Sequence, residues 1–378
     1  MLRGIFGILT VVSLVLTAWR WTLHRRFPLH HRGATFPALP GVTFLKPLKG
    51  RDEHTAECLR TWFEQEYPGP VQILFGVASP DDPVCLIVRE LMAGFPGVDA
   101  QLVVCAEVLG ANNKVSTLRQ LEPLIKYPLL VISDADVRAP HDFAAQAAPL
   151  CRDDVGLVIC FYRLANPVTV AMRWEAVAIN ADFWTNVLQA ASFKKIDFAL
   201  GAVMTLPLVE LKAVGGFAVL ADYLADDYQL GHRIAANGRR IILSSIVVDC
   251  WEAPAGWSVV WRHQLRWART IRACQPAPFF FSVINNSSVW PLVLLAICIS
   301  GPAWGLILSC SALVFRVWTA QQQQGRLTQK QTHGRYWWMV PLKDVLDFVV
   351  WAAAFWGHQI EWRGERFHIG AGGKLVKL

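Results

Sequence analysis

The chain has 378 residues, 54% of them hydrophobic and only 17% charged, with 17 tryptophans and a formal net charge of +7. That length allows a substantial core, and the apolar excess argues against an ordinary soluble or disordered chain and for membrane contact. The nine cysteines form no CxxC pair and no Cys/His cluster at zinc spacing, so neither a disulfide framework nor a structural zinc site is expected.

Taken in chain order, the first predicted element is the uncharged run Gly4 to Trp19, followed by Arg20, His24, Arg25 and Arg26. About 20 apolar residues cross a bilayer, and the Trp19/Trp21 pair with its basic flank fits a cytoplasmic interface, so residues 1–26 are expected to form a transmembrane anchor. A cleaved signal peptide fits less well, because the basic residues mainly follow the apolar run and no small-residue cleavage site appears. From Val42 to Asp249 strand and helix patterns alternate. Strands are predicted at Val42–Leu48, Val71–Ala78, Ala100–Ala106 and Leu129–Asp136, with helices at Thr55–Tyr67, Pro83–Phe95 and Asn113–Ile125 between them. Such alternation predicts an α/β fold with a largely parallel sheet covered on both faces, and it directs attention to residues just after the strands. Lys49 and Arg51 follow the first strand, Asp81 and Asp82 the second, and Asp134 and Asp136 end the one beginning at Leu129. There is no GxGxxG, so a dinucleotide-binding fold of the usual kind is unsupported.

Further along, Gly215 and Gly216 predict a tight turn, and Asp226 and Asp227 open a helix in which Tyr228, Leu230, Ile234 and Ala235 mark the buried face. The segment Trp261 to Arg272 interleaves five basic residues with tryptophans and reads either as a lipid-facing collar or as a group of phosphate ligands. The uncharged region Phe279–Phe315 is too long for one span. Read as a helical hairpin turning at Gly301–Pro302, it returns Arg316, Arg326, Lys330 and Arg335 to the side of Arg25 and Arg26, with Gln321–Gln324 in a flexible loop. Phe348–His358 either spans or lies in the interface. Basic residues cluster beside the apolar segments, which suits anionic headgroups and an anionic substrate, not nucleic acid.

Two carboxylates two residues apart at a strand end repel unless a cation lies between them or one is protonated. Magnesium or manganese would resolve the conflict, taking carboxylate oxygens and filling its other positions with water or a diphosphate. A third acidic pair at Asp226 and Asp227 is also explained by helix capping. A diphosphate is a good leaving group, so a site that holds one needs only a base and a source of positive charge for a single displacement, with no covalent nucleophile.

The ordered set FLKPLKG, DDP (Asp81 to Pro83), GANNK (Gly110 to Lys114), SDAD, GGF with ADDY, and LRW (Leu265 to Trp267) resembles the ceramide glucosyltransferase family, glycosyltransferase family 21, over most of the chain. The bacterial branch that modifies hopanoid lipids with an N-acetylglucosamine-type sugar is similar over the same span. The resemblance implies a GT-A catalytic domain, residues 40–275, facing the cytosol, and a C-terminal membrane region, residues 276–378. It implies an inverting enzyme that moves a sugar from a UDP-sugar to a lipid hydroxyl, on ceramide or a hopanoid, with a Mn or Mg ion. By position, Asp82 would contact the uridine, and Lys49 and Lys114 would lie near the donor. Asp134 and Asp136 would be the nucleotide and metal pair, Asp227 the general base, and Arg266 with Trp267 would close over the diphosphate and acceptor. The family motif begins with Gln or Arg three positions before its Arg; here that position is His263, which could still donate to a phosphate, and Gln264 is one residue out of register.

Other readings fit less well. A processive polysaccharide synthase would want more than three or four short spans. A phosphatase of the DxDx(T/V) type would want Thr or Val where Arg138 stands. A non-enzymatic lipid-binding membrane protein would leave three acidic groups unexplained.

Overall fold

The computed structural model describes residues 1–34, 36–330, 332–362 and 365–378. Helix α1 (Leu2–Arg26) leads into β1 (Val42–Leu48), α2 (Thr55–Phe63), β2 (Val71–Val77), α3 (Val84–Gly94), β3 (Asp99–Val104), α4 (Asn113–Leu121) and β4 (Leu129–Ser133). The strands of this half lie in the order β3-β2-β1-β4 and run parallel. Phe44 of β1 packs into one apolar cluster with Trp62 and Phe75, whereas its neighbour Leu45 packs into another with Leu74, Leu130 and Trp184. Burial on both faces is why these strands read as continuous apolar runs without alternation.

The second half departs from the expected parallel sheet. After β5 (Val137–Arg138) and α5 (Phe143–Ala147) come β6 (Val155–Leu164) and α6 (Val170–Val177), which continues through a π-helical turn, Ala178–Phe183, into α7 (Trp184–Phe193). Strand β7 (Val203–Pro207), α8 (Leu208–Ala213), α9 (Asp226–Ala236) and β8 (Arg240–Cys250) complete the eight-stranded sheet. Strand β7 is antiparallel to both β4 and β6, and β5 is antiparallel to β8, so the sheet is mixed. The predicted turn is present, with Gly215 at φ +100° and Gly216 at φ +68°, values that favour residues without a Cβ.

Helix α10 (Trp257–Cys274) carries the chain out of the sheet towards α11 (Pro276–Phe281), α12 (Val289–Cys298), α13 (Ala303–Thr328) and α14 (Met339–Ala353). Helices α1 and α13 are each long and apolar enough to cross a membrane. The segments Pro276–Asn285 and Val289–Cys298 would make a third crossing only if taken together across a 45° bend. Helices α12 and α13 are joined through Gly301–Pro302, where the hairpin turn is expected, and the segment before the turn is broken by the bend. Helix α14 has 15 residues, about 22 Å at 1.5 Å per residue, which is short of a hydrocarbon core of about 30 Å.

Helix α1 is polar inside and apolar outside. Gly7, Thr10, Ser13, Thr17, Arg20 and His24 face its neighbours, while Ile5, Ile8, Val11 and Val15 are exposed. Small and hydroxyl-bearing residues at helix contacts with apolar residues outward is the pattern expected when the outer solvent is lipid. A hydroxyl bond between Thr17 and Ser287 (2.6 Å) and bonds from Arg326 to the carbonyls of Arg25 (2.9 Å) and Phe27 (2.5 Å) tie α1 to the other helices.

Two sequence expectations fail here. Arg316 is 2% exposed and is not a flanking charge, and Gln321–Gln324 form the last turns of α13, with Gln323 and Gln324 buried, not a flexible loop. The reason lies in tertiary partners. Arg316 pairs with Asp344 of α14 (Nε to Oδ2, 2.8 Å) and Asp182 of the π-turn (2.7 Å), Lys343 pairs with both aspartates, and Ser288 donates to Asp344 (2.5 Å). A three-stranded antiparallel sheet closes the chain, with order β11-β10-β9 from β9 (Gln359–Trp362), β10 (Glu365–Ile369) and β11 (Leu375–Lys377).

Candidate active site

The site is built where β1, β2 and β4 end and α4, α9 and α10 begin or pass. Asn112 caps α4 by accepting from the Val115 amide (3.2 Å), and its side-chain amide reaches the Tyr223 carbonyl (2.8 Å) and Asp226 (3.4 Å). Gly110 has no room for a side chain, since a Cβ there would lie 2.5 Å from the Ala221 carbonyl oxygen. The GANNK segment is thereby locked to the loop that carries the acidic pair. From the first turn of α4, Lys114 reaches Asp134 (2.7 Å) and Asp226 (3.5 Å), joining two acidic groups 92 residues apart in sequence. Burial alone would lower the Lys114 pKa, but Asp134 and Asp226 raise it overall, so the cation is held charged.

Asp136 is unlike its partner. Burial, reinforced by Asp134, pushes its carboxyl up to about 6, while Asp134 is partly exposed and bound to Lys114. In the other pair, Asp226 is held by Asn112 and Lys114. Asp227 accepts one bond from the Tyr228 amide (2.7 Å) and is raised to about 7 by burial and then by Asp226. Gly201 leaves space for this carboxylate, because a Cβ there would sit 2.8 Å from Asp227 Oδ2. Gly201→Ala is accordingly expected to displace the Asp227 carboxylate and to lower turnover at least about tenfold, with an unchanged melting midpoint; wild-type turnover would show that the space is unimportant.

A cavity of about 470 Å³ lies over Asp136, walled by Glu175, Glu252, Arg262, His263 and Arg266. His263 Nδ1 and Gln264 Nε2 both meet Glu175 Oε1, at 2.7 and 2.8 Å, and the His263 ring lies edge-on to Trp267 with centroids 4.7 Å apart. The five basic residues of α10 thus divide. Arg262, His263 and Arg266 face the cavity, whereas Arg269 donates to the Gln359 (2.5 Å) and Trp356 (2.7 Å) carbonyls and Arg272 to that of Gly357 (3.1 Å). Asp82 does not line this cavity. Its carboxylate accepts from the Gly50 amide (3.1 and 3.0 Å) and from the Val84 amide (3.0 Å), fixing the loop on which the exposed Lys49 stands.

Among the described residues no group of three or more His, Cys, Asp or Glu side chains is arranged to hold a metal ion. The two-carboxylate set of Asp134 and Asp136 is nevertheless of the oxygen-only kind that hard divalent cations take.

Residues 5–375 match Glycosyl transferase family 21. The chain belongs to that family. This family 21 glycosyltransferase is 23% identical over 403 residues to ceramide glucosyltransferase 3 of Caenorhabditis elegans, covering 99% of this chain and 83% of that protein. It is also 23% identical to ceramide glucosyltransferase 1 of the same organism, over 65% of this chain and 52% of that one. Among solved structures it is similar to the mannosyltransferase PcManGT from Pyrobaculum calidifontis, described in complex with GDP-Man and Mn2+, with a TM-score of 0.57, 21% identity, and coverage of 94% of this chain and 99% of the other. The fold is the GT-A-like α/β fold of nucleotide-sugar glycosyltransferases.

Three groups at or beside the cavity, Lys46 and Glu175 buried and Glu252 half-buried, went unnoticed in the sequence. Lys46, inside β1, donates to Ser133 (3.0 Å) and lies over the Trp62 ring at 4.6 Å; burial lowers its pKa to about 7. Its signal was a lysine at an inward position of an otherwise apolar strand. Glu175 and Glu252 carried no signal, because they stand in segments with no acidic pairing, and Glu252 is pushed up to about 7 by burial and then by Glu175.

Proposed function

We propose that this glycosyltransferase is an inverting, membrane-bound enzyme that moves a sugar from a UDP-sugar to the hydroxyl of a membrane lipid, with ceramide and UDP-glucose as the leading pair. The observation that carries the reading is Lys114, which draws the Asp134/Asp136 pair and the Asp226/Asp227 pair into one site. The ceramide glucosyltransferase relatives support the acceptor class. The outward apolar face of α1 supports a reaction at the bilayer, with the catalytic residues on the cytoplasmic side.

In this reading the acceptor hydroxyl gives its proton to Asp227 as its oxygen attacks the anomeric carbon, and the bond from that carbon to the diphosphate oxygen breaks on the opposite face. Lys114, Arg266 and His263 stabilise the departing UDP, Asp82 and Lys49 hold the nucleotide end, and Trp267 packs behind His263 to orient it. Asp134 and Asp136 would hold a Mg2+ or Mn2+ ion, which when bound adds positive charge at the diphosphate. Residues 1–26 would anchor the chain, residues 40–275 would form the catalytic domain, and residues 276–378 would present the lipid.

The test is incubation of the protein in nanodiscs with UDP-glucose or UDP-N-acetylglucosamine, with ceramide or a hopanoid polyol, with and without manganese, followed by mass spectrometry of the lipids. A hexose adduct on ceramide supports the leading pair. An N-acetylhexosamine adduct on the hopanoid transfers the assignment to the second branch, and no adduct in any combination overturns the acceptor class. Asp136→Ala is expected to abolish metal-dependent turnover while membrane insertion is retained; wild-type activity in this variant would refute the metal assignment.

A further inference from the structure

A second cavity, about 620 Å³, lies on the other side of α6 from the one over Asp136: Glu175 walls the first, and Arg173, Ala176 and Val177 wall the second. Among the described residues its other cations are Arg163, Lys330 and Arg335, and no carboxylate lines it. Arg163 is already neutralised by Asp249 (2.5 Å) and donates to the Thr328 carbonyl, so it meets the negative end of α13 where that helix reaches the cavity. Arg173 is fixed over the Tyr336 ring at 4.7 Å from its centroid. Among the described residues Arg173, Lys330 and Arg335 have no carboxylate within ion-pair distance, which leaves about three positive charges around a space walled by both apolar and uncharged polar side chains.

The position of the cavity indicates the source of a compensating anion. It lies at the C-terminal end of α13, a helix able to cross a membrane, at the same end as Arg25 and Arg26, and the exposed Trp337 and Trp338 stand in sequence between its lining residues Tyr336 and Met339. Tryptophan and basic side chains gathered where a spanning helix ends are the features of a headgroup layer. We infer that this cavity binds the phosphate of an anionic membrane lipid, with Arg173, Lys330 and Arg335 as its ligands. The inference is independent of the sugar-transfer reading, because its readout is lipid retention, not turnover.

The protein would be reconstituted in phosphatidylcholine nanodiscs with or without phosphatidylglycerol, re-extracted in a neutral detergent, and its retained lipids counted by native mass spectrometry. One retained phosphatidylglycerol per chain, in preference to phosphatidylcholine, is expected. Lys330→Gln/Arg335→Gln alters two exposed positions, so its melting midpoint should be unchanged while retention falls about thirty-fold, corresponding to about one kcal/mol for each lost charge. Equal retention of the two lipids, or wild-type retention by the double variant, overturns the site. Inorganic phosphate that stabilises the wild type and not the variant, with no phosphatidylglycerol retained, would assign the site to soluble phosphate and overturn the lipid source.

Discussion

Asp227→Asn is expected to lower sugar transfer by about 10² to 10⁴-fold while leaving binding of the nucleotide sugar nearly unchanged, as removal of a general base should. The substitution keeps the size of the side chain and its capacity to accept from the Tyr228 amide, so the start of α9 has no reason to unwind. It removes only the ability to take up a proton. The wild type should also show the sign of that role in its pH profile. Because burial, and secondarily Asp226, raise Asp227 to about 7, the carboxyl is protonated and inactive as a base below that value and ionised above it. Transfer should therefore fall about tenfold per pH unit below about 7 and level off above it, and the residual activity of the Asn variant should lack this limb. Loss of nucleotide binding together with transfer would instead mark Asp227 as a structural cap, and wild-type turnover would remove it from the mechanism.

The largest expected effect on stability belongs to Arg316→Met. This side chain is 2% exposed and bonds to Asp182 and both oxygens of Asp344, so its loss leaves two buried carboxylates with Lys343, Arg20 and the Ser288 hydroxyl as their partners among the described residues. Breaking one side of a buried ion pair costs about 3–5 kcal/mol, and here the pair joins α13, α14 and the π-turn between α6 and α7. A sharply shortened thermal half-life in detergent is expected. The double variant Arg316→Met/Asp344→Leu should recover part of the loss, because it removes the stranded charge as well as its partner. If the single variant matched the wild type, the cluster would not be what holds these helices together.

Between these two groups the difference in legibility is physical. The strands that precede Asp82, Asp134 and Asp136, and the helix opened by Asp226 and Asp227, are encoded locally: an apolar run buried on both faces, a turn, then charge. Their positions were readable because like charges in such places need compensation. Arg316 and the glutamine run were misread for the complementary reason. Sequence position at the end of an apolar run gives a charge no means of showing whether it faces water or a buried aspartate 28 residues away. Lys46 was masked in the same way by its strand, and Glu175 has meaning only because α6 carries it against His263.

By itself the sequence determined the long apolar helix at the start of the chain, the alternation of strand and helix through the first half of the sheet, and the positions of the acidic groups, since each depends on periodicity and charge among near neighbours. The tertiary structure alone decided that β7 and β5 turn the sheet mixed, that Lys114 joins the two acidic pairs, that α10 divides its cations between a cavity and the carbonyls after α14, and that the membrane helices meet through buried ions. Each of these depends on groups brought together across long sequence separations, and a charge acquires its energy from what lies a few ångströms away, which local pattern does not specify.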